Sequence, residues 1–211
     1  MPGPDSAELE TLQAVRLAGF AGEEMLAKRA RRPLALLRQD LGRCADAGHI
    51  EQMSFAATSG WILTETGSER LAVLLEAEVG AAGARAVLEA VLQDFEEING
   101  EFVEVVSRWQ LRATEHGGHG AAEPGSADLT ALTRHLSALG EHLEGVLDPA
   151  IEILPRFERY PAQYTAALAR ARTQGLRWIT GVGILSCHVV WAELHQDLLS
   201  SLGRDRMPGR G

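Results

Sequence analysis

Hydrophobic positions recur at three- and four-residue steps along most of this chain, the period of an amphipathic α-helix. Leu9, Leu12, Val15, Leu17 and Phe20 form the first run, and Ala-Gly-Phe-Ala-Gly at 18–22 breaks it. EEMLAKRA at 23–30 predicts a short second helix, with acids in its first turn and bases in its last, the sense that the helix dipole favours. Arg31-Arg32-Pro33 reads as a turn, with Pro33 placed to start a third helix. From Leu34 to Ala47, the spacing of Leu37, Leu41 and Cys44 or Ala45 gives that helix one buried face, and Gly48 is a natural residue to close it.

After Gly48 the period changes. HIEQMSF at 49–55 alternates in part, with Ile50, Met53 and Phe55 apolar, and AATSG at 56–60 is a turn. GWILT at 60–64 then returns as a β-branched and aromatic strand. Thr64 is placed to cap the next helix, and Gly67 leaves room for close packing against it. Helix, helix, turn, helix, hairpin, helix is the order of a winged helix-turn-helix with a two-stranded wing.

The rest of the pattern is helical. Ser68 to about Val79 is followed by a long helix from about Ala84 to Arg112. Its stripe of Ala84, Leu88, Val91, Phe95, Ile98, Phe102, Val105 and Trp109 keeps a heptad alternation. Val87, Leu92 and Val106 widen that face, as in a bundle or a broad dimer interface. TEHGGHGAAEPGS at 114–126 is a loop; helices follow at 127–147, at 149–159 and from Pro161 to about Gln174. GLRWITGVG is a connector, and a last helix runs from about 184 to 202. The expected fold is mainly α: a winged helix-turn-helix domain over 9–80, then an α-helical bundle domain over 81–203.

Composition refines this picture in two places. The chain has 211 residues and a net charge of −9, yet Lys28, Arg29, Arg31, Arg32, Arg38 and Arg43 stand within sixteen positions against one acid, Asp40. A basic patch on an acidic body can hold phosphates while the body suppresses non-specific binding. Nineteen of the 20 basic residues are Arg, the codon supply of a GC-rich genome such as an actinobacterium's. Cys44 and Cys187 make no disulfide framework. The opening residues lack a secretory leader and no apolar run approaches a membrane span, so a cytoplasmic protein without a membrane partner is expected.

The patch falls on the end of the second helix, the turn and the third helix, the element that enters the major groove in helix-turn-helix proteins. The buried face leaves Ala35, Arg38, Gln39 and Arg43 outward, with Arg38 suited to guanine and Gln39 to adenine. Lys28, Arg31 and Arg32 are candidates for the phosphate backbone, and the uncharged wing offers Thr58, Ser59 and backbone amides. A solvated basic helix, or a winged helix that docks protein, would carry the same charges.

LxxxADAGHI, the hairpin and GWILTETGSERL resemble the MarR-like winged-helix regulators over roughly residues 9–80. The resemblance implies 34–47 as recognition helix, 53–62 as wing, and a homodimer. INGEFVEVVSRWQLR and SCHVVWAELHQDLLSSLGRDR resemble uncharacterised actinobacterial regulators with a helical C-terminal half. Most helices here follow the winged helix, so the MarR-like dimer geometry does not carry over.

The last helix holds His188, Trp191, Glu193 and His195. Two turns, about 10.5 Å, separate the histidines, too far to chelate one ion together. His116 and His119 lie in a Gly-rich loop without a carboxylate scaffold, so no metal site is assigned. Trp109, Arg156, Tyr160, Trp178, His188, Trp191 and His195 are instead candidates for an apolar effector pocket, or for residues that seal the bundle. No P-loop, GxGxxG or GxSxG motif occurs, and neither catalytic residues nor a cofactor are assigned. The function expected is a homodimeric transcriptional regulator that binds a double-stranded DNA operator and answers to a small-molecule effector. A protein-interaction module, or a ligand-binding or catalytic bundle with a vestigial winged helix, are the alternatives.

Overall fold

The computed structural model of the chain describes residues 4–55, 58–115 and 126–204. It is mainly helical, with one two-stranded antiparallel sheet. Among the described residues, no helix is long and apolar enough to cross a membrane. Two compact units divide the chain: one runs up to Arg85 and includes the residues from Gln196 on, and the other spans Ala86–His195.

The first unit begins with α1 (Pro4–Ala18), α2 (Glu23–Ala30) and α3 (Leu34–Asp46). Then come β1 (Ile50–Phe55), β2 (Thr58–Leu63) and α4 (Glu65–Ala82). Leu12, Val15, Leu26, Leu37, Leu41 and Leu71 meet in its core. The hairpin register pairs Ile50 with Leu63 and Met53 with Gly60. Ala21 adds an isolated antiparallel bridge to Trp61, whose amide donates to the Ala21 carbonyl at 2.9 Å. The sequence pattern read Ala21 as part of a helix break and gave no sign of that bridge. Gly60 permits it, because a Cβ there would lie 2.7 Å from the Phe20 ring.

The turn from α3 through the sheet into α4 is tightly specified. Gly48 adopts φ +75°, a left-handed conformation that costs glycine little. The Thr64 hydroxyl accepts from the Gly67 amide at 3.0 Å and faces the Gly48 and His49 carbonyls at 2.8 and 3.0 Å. A Cβ at Gly67 would fall 1.8 Å from the His49 carbonyl oxygen, so only glycine lets α4 approach this closely. Beside this turn, Glu8 accepts both nitrogens of Arg70 at 3.1 and 2.7 Å and lies 3.2 Å from His49 Nδ1.

The second unit holds α5 (Arg85–Glu115) from Ala86 on, α6 (Ser126–Ile153), a 3-10 turn (Pro155–Glu158), α7 (Arg159–Gln174), α8 (Arg177–Thr180) and the first turns of α9 (Cys187–Ser201). Separate helices were expected at 127–147 and 149–159, but α6 continues through Pro149 to Ile153. The buried row of Leu143, Leu147, Ala150 and Leu154 spans that position, so packing offsets the one backbone bond that proline removes. α7 begins at Arg159, two residues before the expected Pro161, and four residues of the expected connector form α8.

The sequence reading placed 81–203 in one domain, whereas the end of α9 groups with the first unit. Buried Asp197 is the physical reason: its Oδ1 accepts from Gln13 Nε2 at 2.7 Å and from Ser201 at 3.2 Å. A buried carboxylate needs such donors, and α1 supplies one of them.

Candidate nucleic-acid interface

α3 exposes Ala35, Leu36, Arg38, Gln39, Gly42, Arg43 and Asp46 and buries Leu37, Asp40, Leu41 and Cys44. Those exposed positions step by three and four residues, so they form one outward stripe. Ala35 and Gly42 keep the stripe low between the longer side chains. α3 packs against β1, and Thr58 and Ser59 are exposed on the neighbouring strand.

The turn before α3 has its own strain. Arg31 closes α2 with φ +49° and ψ +39°, a left-handed conformation in a residue with a Cβ, at a cost of about 1–2 kcal/mol. Its backbone amide donates to the Ala27 carbonyl, as does that of Arg32 at 3.1 Å. Lys28 and Arg31 are exposed.

Arg38, Arg43 and Arg32 of the basic run are each held by carboxylates. Arg38 Nε lies 2.6 Å from Glu23 on α2, and both side chains remain open to solvent. That hydrogen bond raises the pKa of the Arg38 guanidinium further above its usual value. Arg43 pairs with Asp40 one turn earlier. Arg32 contacts Asp40 at 2.6 Å and Glu10 at 3.2 Å with only 14% of its side chain exposed.

Arg32 therefore ties α1, the turn and α3 together. We correct its assignment from phosphate contact to structural ion pair, since exchanging two carboxylates from a largely buried site would open the unit. Sequence spacing could not reveal Glu10, 22 residues away, although Asp40 as the one acid in the basic run was a signal for an internal partner. On the hairpin, Ser59 Oγ shares a hydrogen bond of 2.8 Å with Ser54, while Thr58 is exposed. Ala56, Ala57 and the histidines of the 116–125 loop lie outside the described residues.

The seven candidates for an effector pocket take three different settings. Trp191 is buried, stacks on Phe102 at 4.2 Å and 6°, and donates from Nε1 to Asn99 at 3.0 Å. Tyr160 is buried against Phe157, its hydroxyl accepting from Arg159 at 2.7 Å. His195 lies 2.6 Å from Glu96, and exposed His188 lies near the Phe102 ring. These are core and core-edge contacts. Arg156 caps the Phe157 ring at 4.4 Å, and Trp178 lies under Arg170 and donates to Gln174 at 2.8 Å. These contacts accord with the alternative that the rings seal the bundle.

Trp109 borders a cavity of about 210 Å3 with Val105, Arg108, Asp128, Leu132 and His135. Asn99, Glu96 and Phe102 were not singled out as partners, though Phe102 stood in the heptad stripe. Both cysteines are buried, and burial raises the Cys44 thiol to about 11 and the Cys187 thiol to about 12. Neither offers a thiolate near neutral pH. Among the described residues, no three His, Cys, Asp or Glu side chains group as a metal site.

No family model matches the chain, and no curated protein or solved structure is significantly similar to it.

Proposed function

We propose that the first unit is a winged helix of the MarR-like kind and that the chain is a homodimeric, DNA-binding transcriptional regulator. The observation that carries this reading is the outward stripe of α3, mostly small and polar with Leu36 as its one exposed large apolar side chain, beside an exposed hairpin. α3 would lie in the major groove, with Arg38 and Arg43 at guanines and Gln39 at adenine. Lys28 and Arg31 would hold phosphates at one edge, with Thr58 and backbone amides at the other.

The solvent-exposed ion pair of Arg38 does not oppose this, and the guanidinium of Arg43 is itself exposed while its buried partner Asp40 stays held by Arg32. An exposed pair contributes about 0–1 kcal/mol, and a bidentate guanine contact contributes about 1–3 kcal/mol of discrimination. Exchange of carboxylate for base is therefore favourable, whereas Arg32 stays in place. A small-molecule effector would act through its differential affinity for two arrangements of the dimer.

A second reading, a winged helix that docks protein, is favoured by one observation: Glu23 and Asp40 partly neutralise the face of α3. Selection of duplexes from a random pool by the purified chain separates the two. The regulator reading expects an enriched inverted repeat, and Arg38→Ala with Gln39→Ala relaxes preference at one or two positions of each half-site. A pool without enrichment at low salt excludes it.

A further inference from the structure

Among its described residues, the second unit carries a feature that their packing leaves open. α5 and α6 border a trough made of two cavities, one of about 420 Å3 and one of about 210 Å3, which share Ala131 and His135. Ala138, Leu139 and Leu132 line it from α6, and Val105 and Trp109 from α5. The core of the unit takes the adjoining face of α6, through Leu136, Leu143 and Leu147, with Leu132 and Leu139 on the border between the two.

Along the trough edge α6 exposes Ala131, Ala138 and Gly145, each seven residues apart. A Cβ at Gly145 would meet nothing within 4 Å, so nothing in the monomer requires glycine there. Side chains this small let a second helix approach to about 8 Å. Beside them stand Arg134 and Glu141, also seven residues apart and exposed, and neither forms an ion pair among the described residues.

We propose that this trough and face receive α6 of a second copy of the chain, antiparallel, across a two-fold axis passing next to Ala138. Charge decides the occupant and the direction. In an antiparallel pair about a dyad, like flanks of the two helices meet, so each Arg134 faces Glu141 of the second copy and each Glu141 faces its Arg134. A parallel pair instead turns this flank toward the opposite flank of the second helix, so Arg134 and Glu141 do not meet. A 28-residue helix is about 42 Å long, enough for several turns of contact. The proposal rests on the homodimeric part of the function proposed above and is independent of DNA.

Sedimentation of the full chain from about 1 to 50 μM tests it. The wild type is a dimer, and Arg134→Glu and Glu141→Arg each raise its dissociation constant about tenfold or more, because two attractive contacts become repulsive. The double variant Arg134→Glu/Glu141→Arg restores the dimer. Single variants that dimerise like the wild type, or a double variant that does not recover, overturn this interface while leaving homodimerisation standing. A wild type that is monomeric throughout overturns both.

Should the charge variants fail to fold, as judged by circular dichroism, Ala138→Cys gives an independent answer. Two such cysteines beside the axis are joined by a short bismaleimide, and buried Cys44 and Cys187 are protected from it. Absence of the cross-linked dimer overturns the proposal.

Discussion

Arg32 and Asp40 meet at 2.6 Å across the start of α3, with 14% and 4% of their side chains exposed. Asp40 also holds Arg43, and Arg32 also holds Glu10, so one buried carboxylate organises the basic run from within. Breaking such a pair from one side leaves an uncompensated charge. Asp40→Asn and Arg32→Ala are each expected to lower unfolding stability by about 2–4 kcal/mol in urea titrations. A change below about 0.5 kcal/mol would return Arg32 to the surface cations.

Gly67 is expected to be the least replaceable glycine of the first unit. Gly67→Ala drives a methyl group into the His49 carbonyl, and overpacking of this severity costs about 3 kcal/mol or more. Thermal denaturation checks it, with Gly80→Ala as the control, since a Cβ there meets nothing.

Thr64→Ala removes the cap of α4 and the hydroxyl facing Gly48 and His49. A loss of about 1–2 kcal/mol is expected. Thr64→Ser keeps the oxygen and should recover most of it, which separates capping from packing.

Glu8 predicts a pH dependence. The bidentate bond from Arg70 holds its pKa below the ordinary value of 4.5, with His49 adding to the effect. A depressed carboxylate stabilises the fold above its unfolded pKa, and that contribution is lost as pH falls through the lower, folded value. The stability gap between wild type and Glu8→Gln should therefore be full at neutral pH and shrink as pH drops below about 4.5. Denaturation at a series of pH values measures it; a gap independent of pH would show that the carboxylate charge contributes nothing.

Arg31 should separate stability from DNA binding. Arg31→Gly relieves the left-handed strain, so stability is expected to stay level or rise by up to about 1 kcal/mol. Loss of a phosphate contact is expected to weaken operator binding by the same substitution and to lower the salt slope by about 1. Unchanged binding would remove Arg31 from the interface.

Local patterning made the first unit legible. The Leu37, Leu41 and Cys44 row, the cap at Thr64 and the close approach at Gly67 are all short-range consequences of residue type. Ion-pair partners were legible where they lay nearby and hidden where they did not, as with Glu10 and Arg32. The second unit was read less well. A buried leucine row carried α6 through Pro149, against the local rule for proline. Asp197 drew the end of α9 into the first unit by a hydrogen bond to a residue 184 positions away, which no periodicity encodes. The aromatic residues of the bundle advertise apolar surface in sequence, but not whether it faces a ligand or another ring; Trp191 faces Phe102.

α3 is proposed to read DNA. Its most direct test is binding of the purified chain to the DNA upstream of its own gene at about 50 and 200 mM salt, beside an unrelated duplex of equal length. The account predicts selective binding that weakens by at least about tenfold at the higher salt and loses its selectivity with Arg38→Ala and Gln39→Ala. Equal affinity for both duplexes at low salt, or selective binding unaffected by those two substitutions, would contradict it.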